Sequence, residues 1–247
     1  MLRARDTAFP AFFHVLHAME RLYERASRQR PRAIYPSSDF AWARELEACW
    51  PEILRELQAV LRNRELIPAF HEISPEQRAI TQNQKWKTYV LLAYGARANH
   101  NCRACPRTAA AVERIPGIKT AFFSILAGGK HIPAHRGPYK GVLRCHLGLI
   151  VPTPTQSCRI RVGDCTAHWQ AGSTLIFDDT IIHEVWNDSA EDRVVLFIDF
   201  SRPMRAPVSW LNECVMRLIL WSPYGRATVK RFRRWYEERG VVADVTL

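Results

Sequence analysis

The sequence predicts a mainly β domain, a sandwich or barrel, flanked on both sides by helices. Three observations carry this. From Ile118 onward short runs rich in Val, Ile, Phe and Leu follow one another: IKTAFFSILA, VLRCHLGLIV, CRIRVG, STLIF, HEVWN and VVLFIDF. Gly, Pro and Asn-Asp pairs separate them, the spacing of an all-β sandwich or barrel. Before residue 118 and after Pro203 the apolar residues recur at helical spacing instead.

Taken in order, residues 10–28 predict a helix with Phe12, Phe13, Leu16, Met19 and Leu22 near one face. The run 28–38, RQRPRAIYPSS, holds two prolines and predicts a loop. Asp39 is placed to cap a helix through FAWARELEACW, and Pro51 to start or kink its continuation, with Trp42, Leu46, Leu57 and Val60 as a buried stripe. Residues 64–84 predict loop, WKTYVLLAYGA (86–96) a strand, and Pro106 to Ile115 a short helix ended by Pro116-Gly117. After Pro203, SWLNECVMRLILW predicts an amphipathic helix and GRATVKRFRRWYEERG a basic one. The expected organisation is one domain over 1–247: a mainly helical part at 1–117, a β core at 118–203 and basic helices at 204–247.

With 247 residues, 47% of them hydrophobic, the chain can bury a substantial core. A formal net charge of +11 favours anionic partners: nucleic acid, acidic protein or an anionic lipid surface. Seven scattered cysteines are an odd count for a disulfide framework and point to a reducing, cytoplasmic setting. The apolar run 8–16 is broken by Pro10 and His14 and lacks a cleavage site, and no segment reaches the length of a membrane span. Lys230, Arg231, Arg233 and Arg234 interleave with Phe232, Trp235 and Tyr236. No nucleic-acid motif accompanies them, and the pattern suits either a solvated face or a helix peripheral to an anionic inner-membrane surface.

Two histidines stand out within the β region, His135 and His183, 48 positions apart and each in or beside a strand-like run. Two neutral imidazoles brought together from distant strands can bind a first-row metal. Arg144 and Arg193 also lie in apolar runs, where a cation is costly unless it meets an anion. Taken alone, each has a plainer reading: a lone strand histidine is more often a core residue, and either arginine could pair with a carboxylate such as Asp199. Cys102-x-x-Cys105 is half of a zinc site or a redox pair, with His100 as the only near further ligand. His131 and His168 are expected at the surface.

The pieces FSILAGGKHIPAHRGPYKG, LRCHLGLIVP, Trp169-x-x-Gly172, LIFDDTIIHEVWND and RVVLFIDFSRP are together similar to the aspartyl/asparaginyl β-hydroxylase family of Fe(II)- and 2-oxoglutarate-dependent dioxygenases. The resemblance implies a double-stranded β-helix (a cupin-like jelly roll) and a C–H hydroxylation using Fe(II), 2-oxoglutarate and O2. It also implies roles. His135 and His183 match the iron ligands. Arg193 matches the arginine on the distal carboxylate of 2-oxoglutarate, with Ser124 beside it. Arg144 and His146 match the pair at the cofactor's iron-side carboxylate. Where the wider superfamily carries His-X-Asp, this chain has His135-Arg136-Gly137, which in this family leaves a ligand position to water. Asp178 and Asp179 are then expected to hold His183 or that water. The resemblance implies hydroxylation of an aspartyl or asparaginyl side chain at the β carbon, in a peptide, a protein or a carrier-bound amino acid, because the lipid A 2-hydroxylases that are also similar carry aspartate where Gly137 stands. The alternatives are 2-hydroxylation of an acyl chain of lipid A and a silent anion-binding jelly roll.

Overall fold

The computed structural model describes residues 18–238 and 245–246. Eight helices are described: α1 Glu20–Ala26, α2 Ala41–Ala48, α3 Trp50–Leu61, α4 Phe70–Ile73, α5 Asn99–Ala104, α6 Pro106–Glu113, α7 Val208–Trp221 and α8 Pro223–Glu237. The strands are β1 Ile34–Tyr35, β2 Trp86–Ala93, β3 Ala96–Ala98, β4 Ile118–Leu126, β5 Lys130–His135, β6 Val142–Ile150, β7 Cys158–Val162, β8 Cys165–His168, β9 Thr174–Phe177, β10 His183–Asn187, β11 Arg193–Ser201 and β12 Val245–Thr246. They form an eight-stranded sheet, ordered β1-β9-β6-β11-β4-β2-β3-β12, facing a four-stranded sheet, ordered β5-β10-β7-β8. Every described pairing is antiparallel. The fold is a double-stranded β-helix with flanking helices.

The strands of the larger sheet read as nearly unbroken apolar runs because both faces are covered. On β11, Leu196 and Ile198 turn outward with Phe123, Ile125, Leu143, Cys145 and Leu147, and pack on Leu46, Ile53, Leu57, Ala109 and Val112 of the helices. Val195 and Phe197 turn inward with Phe122, Leu126 and Phe177, and meet Ile132, Ile160, Val162 and Val185 of the smaller sheet. Alternation along a strand therefore puts Ser124, Arg144, His146, Arg193 and Asp199 on the inward face.

Several expectations are adjusted. The larger sheet is wider than the 118–203 run, since β1, β2 and β3 come from the N-terminal part: β2 pairs with β4 and β1 with β9. Asp39 does not cap α2. Ser37–Asp39 closes a 3₁₀ turn, and Phe40 becomes the N-cap with no side-chain bond. Of the helix expected over 10–28, Glu20–Ala26 is described, and Phe12, Phe13 and Leu16 lie outside the described residues. Leu22, expected near one face with those residues, is exposed. In the 64–84 stretch, expected as loop, the chain makes two 3₁₀ turns and the single-turn helix α4.

On α8 the aromatic residues Phe232, Trp235 and Tyr236 pack into the protein, and Tyr236 Oη accepts a bond from Asn101 Nδ2 at 3.2 Å. They are therefore not available to a membrane, while Lys230, Arg231, Arg233 and Arg234 stay exposed. Cys102 and Cys105 are buried free thiols, both pushed up by desolvation, Cys105 to about 12. Among the described residues no group of three or more His, Cys, Asp or Glu side chains is placed to hold a metal.

Candidate active site

His135 ends β5 and His183 opens β10, and the two pair directly across the smaller sheet. Their rings lie 4.2 Å apart. Each Nδ1 faces a backbone carbonyl two residues earlier, Pro133 O at 2.8 Å and Ile181 O at 3.0 Å. A carbonyl only accepts, so each Nδ1 carries the proton and each Nε2 keeps its lone pair, the tautomer a metal needs. Burial lowers both imidazoles, His183 to about 3, helped by His135 and Arg144, so both are neutral at physiological pH.

From this pair a line of rings runs inward. Phe177 is edge-on to His183 at 5.6 Å and to His146 at 5.2 Å, His146 stacks on Trp169 at 6.0 Å, and the Arg193 guanidinium lies 4.4 Å over Trp169. Trp169 Nε1 donates to His146 Nδ1 at 3.3 Å. The remaining His146 nitrogen, Nε2, is therefore a donor in the neutral ring. It is buried and meets no protein partner. Burial holds His146 well below its ordinary value, and the nearby Arg193 and Arg144 charges add to that.

Arg193 is 2% exposed, and its Nε and Nη1 also meet no partner. Burial pulls its pKa down to about 10, which leaves it charged at neutral pH. Ser124, on the adjacent strand β4 two residues before the position opposite Arg193, accepts from Trp86 Nε1 at 3.0 Å, so its own hydroxyl proton remains to be donated. The inner end of the cavity is thus made of donors aimed at something absent from the protein itself: a buried cation, an imidazole N–H and a hydroxyl. Such a set fits a carboxylate. The outer end offers two lone pairs and fits a metal ion.

Arg144 behaves differently from Arg193. It meets Asp199 (Nε to Oδ1, 2.8 Å) and Asp179 (Nη2 to Oδ2, 2.9 Å) and lies 4.3 Å over Phe197. Burial opposes its charge, and the two carboxylates outweigh burial. The pairing expected as the plainer reading, with Asp199, is therefore made by Arg144 and not by Arg193. Asp178 does not hold His183. Its carboxylate accepts from Arg202 Nη2 and Thr180 Oγ1, both at 2.6 Å, and pairs with Lys140 at 2.9 Å. The Asp179 carboxylate is not on His183 either, which meets the Asp179 backbone instead. Its Oδ2 goes to Arg144 and its Oδ1 is a buried acceptor without a partner.

Gly137 explains that placement. A Cβ built at 137 would overlap the Asp179 carboxylate, and Gly137 N donates to Asp179 O at 2.7 Å. Asp179 thus occupies the space a side chain at 137 would need, and Arg144 keeps it from swinging aside. Gly137→Ala is expected to lower stability by about 1–3 kcal/mol, the range for overpacking, read as a fall in thermal midpoint. An unchanged midpoint would show that Asp179 moves freely. Sequence reasoning had no account of Trp169 as the platform for Arg193 and His146, of Trp86 behind Ser124, or of Phe177 between the histidines. The first had a signal, since Trp169 opens one of the matching motif pieces.

A double-stranded β-helix with two strand-borne imidazoles at the mouth and an unpaired arginine inside defines a class of hydroxylase. The chain belongs to the aspartyl/asparaginyl β-hydroxylase family, whose profile matches residues 47–203, and it is a hydroxylase. It is 42% identical over 232 residues to the ornithine lipid ester-linked acyl 2-hydroxylase of Rhizobium tropici, covering 94% of this chain and 83% of that protein. It is 33% identical over 138 residues to human aspartyl/asparaginyl beta-hydroxylase, covering 54% of this chain and 18% of that protein. Human aspartate beta-hydroxylase domain-containing protein 2 is 32% identical over 203 residues, 74% of this chain and 53% of its own length. Among solved structures, a Trichoplax adhaerens prolyl hydroxylase in complex with a peptide fragment of the hypoxia inducible factor oxygen degradation domain aligns with 81% of this chain and 94% of its own. Its TM-score is 0.45 and its identity 11%.

Proposed function

We propose that the chain is an Fe(II)- and 2-oxoglutarate-dependent dioxygenase that 2-hydroxylates the acyl chain of a membrane lipid of the ornithine-lipid type. The observation that carries the reaction is the unsatisfied donor set: Arg193 Nε and Nη1 and His146 Nε2, buried and unpartnered. His135 and His183 would hold the iron through Nε2. Arg193 and Ser124 would hold the distal carboxylate of 2-oxoglutarate, and His146 would donate toward its nearer end. Iron and 2-oxoglutarate together supply the oxidation: one oxygen atom of O2 enters a substrate C–H bond as hydroxyl, the other enters succinate, and CO2 leaves. The protein orients these groups, and Phe177, Phe197 and Trp169 keep water from the interior. Asp179 Oδ1 is the free acceptor for a water or a substrate donor at the metal end.

The lipid reading is favoured by extent. The match to the lipid hydroxylase spans the helical flanks as well as the core, whereas the match to the human β-hydroxylase covers 54% of this chain. The free thiols support a reducing, cytoplasmic compartment. Aerobic turnover with Fe(II) and 2-oxoglutarate, started from an anaerobic mixture, tests the reading against ornithine lipid, lipid A and an aspartyl/asparaginyl peptide. Succinate formation coupled to gain of one oxygen by the ornithine lipid is expected. Oxygen gain by the peptide alone would return the assignment to β-hydroxylation, and gain by lipid A alone would move it to that lipid. Absence of any metal-dependent succinate would leave a silent jelly roll.

A further inference from the structure

The helix α7 is built the wrong way round for a surface helix. Its polar Asn212 is buried, while Trp210 (69% exposed), Leu218 (66%) and Trp221 (69%) face out, with Leu211 and Cys214 between them. At 100° per residue, positions 210, 214, 218 and 221 fall on one stripe. The inward side is fully engaged. Met216 and Ile219 pack on Tyr23 and Tyr139, Asn212 Nδ2 donates to Gly141 O at 2.9 Å, and Tyr139 Oη donates to Asn212 Oδ1 at 2.5 Å. Tyr139 and Gly141 belong to the segment that leaves β5 directly after His135, so α7 is fastened to the mouth of the candidate site.

The charge around the stripe is one-sided. Next to α7 lies α1, with Arg21, Arg25 and Leu22 exposed, followed by exposed Arg28, and Arg205 and Arg217 are exposed at α7 itself. The acidic residues of both helices are taken up within the protein: Glu20 by Arg136, Glu24 by Lys140, and Glu213 by Lys119 and Ser201. An apolar stripe ending in tryptophans beside a basic rim matches the boundary of an anionic bilayer, with indoles at headgroup level and arginines on phosphates. No described helix is long and apolar enough to cross a membrane.

We infer that the outer face of α7, with the basic residues of α1, docks this protein on an anionic lipid bilayer and so sets the mouth at His135 and His183 against the membrane. The inference rests on the lipid-substrate reading for its purpose, though its geometry stands without it. Docking lets a lipid acyl chain enter from its own phase, about one helix diameter, roughly 10 Å, from the segment that follows His135.

The test uses the full chain and vesicles of phosphatidylglycerol mixed with phosphatidylcholine. Co-sedimentation is expected, weakened by salt and by omitting phosphatidylglycerol. The triple variant Trp210→Ser, Leu218→Ser, Trp221→Ser should partition at least about tenfold more weakly. Its 2-oxoglutarate affinity should be unchanged, which shows the fold intact. In a Cys49→Ser, Cys165→Ser background, a polarity-sensitive dye on Cys214 should shift to the blue when vesicles are added. Equal partition of parent and triple variant would overturn the proposal. So would a dye already shielded without vesicles, meaning the chain covers its own stripe. A dimer lost in the triple variant, with no vesicle binding, would reassign the face to a second copy. Vesicle binding through the stripe with no oxygen transferred to lipid would uphold docking and remove the lipid substrate. Lipid turnover in detergent without binding through the stripe would do the reverse.

Discussion

His183→Ala is expected to abolish turnover and to weaken Fe(II) binding by more than about a hundredfold, beyond the upper end of what disturbing an outer partner of a metal ligand does. The expectation rests on how few lone pairs the mouth offers. His183 is 3% exposed, faces His135 across 4.2 Å and keeps its Nε2 lone pair because Nδ1 carries the proton and donates it in a hydrogen bond to Ile181 O. With it gone, one imidazole remains, and among the described residues no group of three ligating side chains is placed to replace the pair. Truncation also leaves a cavity, so activity alone would be ambiguous. Metal affinity by calorimetry, with His131→Ala as an exposed-histidine control, separates the two. A His183→Ala protein that binds Fe(II) like the parent would place the metal elsewhere.

Arg193→Ala is expected to raise the requirement for 2-oxoglutarate at least about tenfold, since a hydrogen bond to a charged group contributes about 1.5–3 kcal/mol and 1.4 kcal/mol is a factor of ten. Arg193→Lys should recover part of this, keeping charge but losing the fork. Metal binding should survive, because His135 and His183 lie at the other end of the ring line. A second readout has the opposite sign. An unpaired cation buried over Trp169 destabilises the protein while no anion meets it. Arg193→Met should therefore raise the thermal midpoint without 2-oxoglutarate and lose the rise that 2-oxoglutarate brings to the parent. A parent-like affinity in Arg193→Ala would put the cofactor elsewhere, and a lower midpoint in Arg193→Met would show that the arginine is already satisfied.

Much of the frame was readable because burial on both faces leaves its mark on a strand. The runs that became β4, β6 and β11 have too many apolar residues for a half-solvated sheet, and the polar residues inside them, Ser124, Arg144, His146 and Arg193, are the ones turned into the cavity. What could not be read depends on register between distant strands. Arg144 stands opposite Asp199 across β6 and β11, which sets it against a carboxylate, while Arg193 stands opposite Leu126 across β4 and β11 and meets none. The two arginines look alike along the chain and differ only across the sheet. Helix faces were ambiguous for a related reason. In α8 the aromatics beside the basic residues suit a core or a membrane equally, and packing chose the core. In α7 both faces are apolar enough to bury, and the bonds from Asn212 to Tyr139 and Gly141 chose the one that holds the polar residue.

The overlap between Gly137 and Asp179 makes the two positions a single genetic unit. A carboxylate can be delivered to that corner from the segment that follows His135 or from the turn that precedes His183, but one volume cannot receive both. Acidic substitution at 137 would be tolerated only after position 179 had shrunk, and the loss of Asp179 would strip Arg144 of one of its two counter-charges. The path between a site with a carboxylate beside the first histidine and the site seen here therefore runs through an intermediate worse than either end. Two lineages of one fold could stay apart on that account alone, without any difference in the reaction they perform.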